Sequence, residues 1–108
     1  MTDINKWRLP TKGELIELYK SGRFTISISY WSSTTYASDP SYAWVVGFYG
    51  GPQYSFFKTD SRYVRCVKTK KGGKLKWQKN ESKSIMNWYE AMKYAEGLNN
   101  KHKIKELK

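Results

Sequence analysis

Few side chains in this sequence are of the types that do covalent or metal chemistry. Ser32 and Ser33 carry hydroxyls, but the one histidine, His102, stands in a basic C-terminal stretch. No base is positioned to take a serine proton, so hydroxyls bonded to backbone are the expected role. Cys66 is the only cysteine, which excludes an intramolecular disulfide. Lying inside the apolar run Val64–Val67, it is expected to be a small buried side chain and not a nucleophile. Asp39 and Asp60 are too few for a calcium cage, which takes about six to eight oxygen ligands. No metal, no cofactor and no catalytic activity are therefore expected. Arg65 could meet an anionic ligand, but an unpaired buried guanidinium is costly, so Glu14 or Asp60 is its expected partner.

Charge points to a second kind of chemistry. The formal net charge is +11, with eight basic against five acidic side chains up to residue 67 and twelve against four beyond it. The excess thus belongs to the C-terminal third, where every basic side chain other than His102 is lysine. Lys68, Lys70, Lys71, Lys74, Lys76, Lys79 and Lys83 form the candidate polyanion-binding set. Lysine is a solvated point charge without the guanidinium fork that reads guanine or phosphate bidentately, so this set suits non-specific attraction to nucleic acid or another polyanion. Acidic partners of any kind are favoured.

The elements that must position these groups are legible from pattern. Tyr30 to Lys68 holds most of the aromatic and β-branched residues in runs of strand length, which predicts consecutive antiparallel strands. Tyr49-Gly50-Gly51-Pro52 has the chemistry of a hairpin connection, and Lys70–Lys74 that of another, joining Tyr63–Lys68 to Leu75–Lys79. Phe24 to Ser29 alternates apolar and polar residues as an extended segment does. Alternation puts Trp44, Val46 and Phe48 on one side of their strand and Ala43 and Val45 on the other. In the last strand Val64 and Cys66 face one side, Tyr63, Arg65 and Val67 the other. Thr11-Lys12-Gly13-Glu14 fits a capping box opening a helix over about Lys12–Tyr19. Asn87-Trp88-Tyr89-Glu90 opens a second, with Trp88, Met92, Ala95 and Leu98 as its apolar positions and Asn99-Asn100 as its expected end, leaving Lys101–Lys108 as a short basic tail. Trp31, Trp44 and Trp88 are expected in the core. The whole chain, residues 1–108, predicts one α+β domain: an antiparallel sheet braced by two helices.

Trp7-Arg8-Leu9-Pro10-Thr11 with Glu14-Leu15, Tyr30-Trp31-Ser32-Ser33-Thr34, Ala43-Trp44 with Val46 and Phe48, and Tyr63-Val64-Arg65-Cys66-Val67 closely resemble the Lcl C-terminal domain family, a bacterial family long catalogued as a domain of unknown function. The resemblance implies a C-type-lectin-like fold. Trp77-Gln78 and Asn87–Leu98 resemble the family's opening segment, which normally precedes the Trp-Arg-Leu-Pro-Thr motif and here comes last. Residues 7–68 would then be the second part of a family unit and 75–98 its opening part. Such an order implies a circular permutant or a piece of a repeat array, and a monomer or a segment-swapped dimer.

Members of this family are mostly surface or secreted proteins associated with adhesion and glycan binding. In similar ligand-binding proteins the variable positions lie between the Trp-Ser-Ser segment and the Val-Arg-Cys strand. Mapped here, those are Tyr36, Tyr42, Tyr49, Gln53, Tyr54 and Phe56. Rigid aromatic rings lose little side-chain entropy on binding, which suits them as contacts. The expected function is accordingly a non-enzymatic recognition or adhesion module for a glycan or protein, with polyanion binding as the alternative. A distant likeness of Arg-Leu-Pro-Thr and the following Glu to formylglycine-generating oxidases implies catalysis, but those enzymes use a cysteine pair. No apolar run approaches the roughly 20 residues of a membrane span and no signal-peptide core is evident. The expectation is a cytoplasmic location for a complete chain, and the cell surface or secretion for part of a longer protein.

Overall fold

The computed structural model describes residues 4–23, 28–48 and 53–107, without the side chains of residues 53 and 101–107. Its elements are α1 (Lys12–Lys20), β1 (Ser29–Thr35), β2 (Tyr42–Gly47), β3 (Gln53–Phe57), β4 (Val67–Thr69), β5 (Leu75–Trp77) and α2 (Trp88–Leu107). The fold is α+β, with small antiparallel sheets and two helices. The predicted turn Tyr49–Pro52 and most of the segment Phe24–Ser29 lie outside the described residues.

The first sheet has the order β1-β2-β3, all antiparallel. β1 is irregular between Trp31 and Thr35, and Ser32 accounts for how the break is tolerated. Its buried hydroxyl donates to the Trp44 carbonyl at 2.8 Å and accepts from the Thr34 amide at 3.1 Å, so no polar group is orphaned.

Each face of this sheet carries a core. Trp31, Ala43 and Val45 pack with Leu9, Val64, Cys66, Ala91 and Ala95, while Tyr30, Val46 and Phe48 pack with Leu15, Leu18, Val67 and Trp77. One helix closes each side, as the two-residue alternation requires. The segment leading into β4 serves both cores, because Val64 and Cys66 face the first and Tyr63, with Val67 at the start of β4, the second. Burial pushes the Cys66 thiol up to about 12, which leaves it protonated and unreactive at neutral pH.

Four expectations are corrected. The last strand does not join the main sheet: β4 pairs with β5, in the hairpin expected through Lys70–Lys74, but Tyr63 touches β1 only through an isolated parallel bridge to Tyr30. Beyond β4–β5 the pairing continues in fragments, Gln78 to Cys66, Ser82 to Val64 and Met86 to Arg62, so residues 62–69 and 75–86 form one interrupted ribbon. The second correction concerns Arg65, which bonds neither Glu14 nor Asp60. Its guanidinium donates to the carbonyls of Gln78 (2.6 Å) and Lys79 (2.9 Å) and to Glu81 (2.9 Å). Glu14 is taken by Arg8 at 2.7 Å, in the capping box that starts α1.

The other two corrections concern α2. It does open on Asn87, whose side chain accepts from the Glu90 amide at 2.8 Å while Glu90 reaches back at 2.9 Å. It does not stop at Asn99-Asn100 but runs to Leu107. Residues 101–107 hold neither glycine nor proline to break it. The Asn99 amide acts elsewhere, accepting from the Trp7 amide at 2.7 Å and donating to the Trp7 carbonyl at 2.9 Å. Met92 is 42% exposed, because the inward stripe is Trp88, Ala91, Ala95 and Leu98, one position off Met92. Of the three tryptophans expected in the core, Trp31 is fully buried, and Trp44 and Trp88 are half-buried. No described helix is long and apolar enough to cross a membrane.

Two outcomes test this account. Arg65→Ala leaves two carbonyls and a carboxylate without their donor and should lower stability by about 3 kcal/mol or more in denaturant titration. Glu14 supplies a pH dependence. Burial works to raise its pKa, but the hydrogen bonds from Arg8 and from the Thr11 backbone prevail and hold it below the ordinary 4.5. The stabilisation is complete above that value and drains away as pH falls through the lower native pKa, so Glu14→Gln should flatten the acid limb of a melting-temperature profile.

Candidate functional site

β2 carries Tyr42 and Trp44 on the face whose Val46 end is covered by α1. Antiparallel register places Phe57 of β3 directly opposite Tyr42, and the two rings lie 4.3 Å apart at 31°. Tyr36 joins from the loop after β1, where its amide donates to the Tyr42 carbonyl at 2.9 Å. Its ring sits edge-on to Trp44 at 5.3 Å and to Tyr42 at 6.3 Å. At the far end Lys12 places its ammonium 3.7 Å from the centre of the Trp44 ring. The result is one aromatic strip, Trp44–Tyr36–Tyr42–Phe57, ended by a cation. Tyr36, Tyr42 and Trp44 are half-buried and Phe57 is 49% exposed.

The loop that carries Tyr36 is held by Asp39. Its carboxylate accepts from the Ser41 hydroxyl at 2.7 Å and the Ser41 amide at 3.0 Å, and these bonds lower its pKa. Backbone bonds from Asp39 to Tyr36 and from Tyr42 to Asp39 close the turn. Asp39 is thereby a loop brace, and among the described residues no group of three or more His, Cys, Asp or Glu could hold a metal ion.

Of the six ligand-contact positions expected, the structure brings Tyr36 and Tyr42 together and sends two others elsewhere. Tyr54 and Phe56 oppose Val45 and Ala43, so they lie on the reverse face and pack against the α2-side core. Their rings meet edge-on at 4.9 Å, the Tyr54 hydroxyl is 3.2 Å from that of Ser29, and Arg62 lies 3.8 Å over Phe56. Tyr49 and the side chain of Gln53 lie outside the described residues. Sequence reasoning did not place Lys12, Trp44 or Phe57 at the site. The spacing of Tyr42 and Trp44 could have found one of them, since residues two apart on a strand share a face.

The seven candidate polyanion contacts also divide. Lys68 and Lys76 are paired across β4–β5, Lys70, Lys71 and Lys74 belong to the turn, and Lys79 and Lys83 lie exposed beyond β5.

The Lcl C-terminal domain family model matches residues 1–68, and the chain belongs to that family. No curated protein and no solved structure matches it. The matched stretch contains α1, β1 to β3, the first two residues of β4 and every member of the aromatic strip.

If the strip is a formed surface, its rings are energetically coupled. A double-mutant cycle on Tyr42→Ala and Phe57→Ala should return about 0.5–1.5 kcal/mol of interaction in chemical denaturation. Additive losses would mean that the two rings do not hold each other.

Proposed function

We propose that this domain is a non-enzymatic recognition or adhesion module of C-type-lectin-like fold, which binds a glycan or protein through Tyr36, Tyr42, Trp44 and Phe57, with Lys12 at the rim. The observation that carries this reading is the contiguity of the four rings on the uncovered part of a sheet face. Aromatic side chains present large, stiff, amphipathic area, and a pre-braced cluster of them loses little entropy on binding. The buried, protonated Cys66 supports a role other than catalysis. Tyr54 and Phe56 take a structural role in this reading, and the ligand surface moves from the hairpin to the loop side.

We further propose that residues 75–98 are the opening part of the family unit, displaced to follow 7–68. The ribbon supports it: residues 62–69 pair with 75–86 through the Lys70–Lys74 turn, as neighbouring first and last strands joined by a short link would. Gly72 and Gly73, with φ of 93° and 86°, supply the left-handed turn such a link needs. A monomer satisfies these contacts within one chain, and a segment-swapped dimer satisfies them between two.

The ligand reading is tested on a glycan array together with a panel of extracellular proteins. Trp44→Ala and Tyr42→Ala should each weaken binding at least tenfold at unchanged folding, judged by circular dichroism. Tyr54→Ala, by contrast, should lower the melting temperature. Binding that survives loss of both Tyr42 and Trp44 rejects the strip as the site.

A further inference from the structure

The ribbon β4–β5 has two unlike faces. Val67 and Trp77 are cross-strand partners buried in the core beside α1, and Lys68 and Lys76 are partners on the other side. The two-residue alternation adds Lys70 and Lys74 to that outer side, across a turn closed by the Lys70 amide donating to the Lys74 carbonyl at 2.7 Å. Like charges directly opposite one another destabilise a ladder. Residues 67–80 include no acid to relieve them, and the nearest acids are engaged, Glu14 with Arg8 and Glu81 with Arg65. Lys68 lies with its ammonium 4.6 Å from the centre of the half-buried Trp7 ring. Its partial burial, and then the charges of Lys76 and Lys70, lower its pKa.

We propose that the outer face of the β4–β5 ribbon binds single-stranded nucleic acid along its phosphate backbone, with Lys68, Lys70, Lys74 and Lys76 as the contacts and Trp7 beside them. Lysine attachment points two residues apart on a strand recur about every 6.6–6.8 Å along the backbone, and the two strands lie roughly 5 Å apart. This makes a short, dense track of positive charge. Its inner face is buried and the Asn5–Arg8 segment bonds to the other edge of β4, so the outer face is the one open to a ligand. A flexible single strand can lie across it. The track presents donors and no side-chain acceptor, which suits phosphodiester oxygens and not a polymer rich in sugar hydroxyls. Without arginine forks or amides to read base edges, binding should be indifferent to sequence, as is stacking of a base on an indole.

The test uses the whole chain and fluorescein-labelled oligothymidylate in an anisotropy titration. Four phosphate contacts on a single strand predict a fall of about 50-fold in affinity between 50 and 200 mM salt. Replacing Lys68, Lys70, Lys74 and Lys76 together with Gln should abolish most of the binding. The same charge loss at Lys20, Lys79, Lys83 and Lys93 should change affinity no more than about threefold. Lys76→Glu alone, which sets a carboxylate opposite Lys68 and relieves repulsion in the ladder, should also weaken binding strongly while the chain remains folded. The Tyr42→Ala and Trp44→Ala variants should bind oligothymidylate like the parent, which separates this surface from the aromatic strip. Equal loss in the two quadruple variants, or tighter binding of a sulfated polysaccharide than of oligothymidylate at matched charge, overturns the proposal.

Discussion

One buried guanidinium joins the two halves of this domain. Arg65 is 1% exposed and stands where the ribbon loses its regular ladder, after Trp77. Beyond that point the chain can no longer satisfy its own carbonyls by strand pairing, and those of Gln78 and Lys79 turn toward Arg65. A buried arginine is tolerated only when its charge is balanced and its donors are used, and Glu81 supplies the balance. The planar fork can meet two carbonyls and a carboxylate at once, a geometry closed to lysine. What Arg65 holds in place is the path from β5 to α2. Along that path the Trp31 indole donates to the Met86 carbonyl at 2.9 Å and the Trp88 indole to the Ser32 carbonyl at 3.0 Å. The helix that covers one face of the sheet thus reaches its position through a chain of polar contacts, each fixing the next.

The aromatic strip follows from how far the cover extends. α1 is nine residues long, about 13 Å, and it buries the Val46 and Phe48 end of its sheet face. The Trp44 and Tyr42 end is left to solvent, where Lys12 and the Asp39 loop close over only its margins. On the opposite face Tyr54 and Phe56 pack against the core to which α2 gives Ala91 and Ala95, and Arg62 lies over Phe56. Two aromatic pairs on adjoining strands therefore have different fates, decided by the face on which each lies and not by their own chemistry.

This explains which parts were legible in the sequence. Capping boxes at Thr11 and Asn87, the glycine turn at Gly72-Gly73, and the burial of Cys66 rest on local rules, and they read correctly from residues alone. The face on which Tyr54 lies depends on its register with Val45 across a turn, and periodicity within one strand does not fix the register between two. The partner of Arg65 was hidden for a related reason. The hairpin was expected to end at Lys79, whereas its pairing runs on in fragments to Met86 and so brings Glu81 beside Arg65. The length of α2 was missed because Asn99-Asn100 resembles a stop, while in the fold Asn99 pairs with the backbone of Trp7 inside a continuing helix.

The two unlike surfaces are also separated by construction. The aromatic strip belongs to β2, β3 and the loop after β1, and the lysine track to a ribbon hydrogen-bonded to the N-terminal segment. Between them stands the second core, with Val46 and Phe48 from one sheet and Val67 and Trp77 from the other. Charge on the ribbon is thereby kept away from the rings, where a row of ammonium groups would compete with a neutral ligand for their π faces. The strip retains a single cation, Lys12, already placed over Trp44. A ligand covering that ring must displace Lys12 or carry an anionic group for it to turn toward. On the binding role proposed for the strip, the geometry of this one side chain favours a ligand that joins an apolar face to a nearby negative charge, and disfavours one that is cationic there.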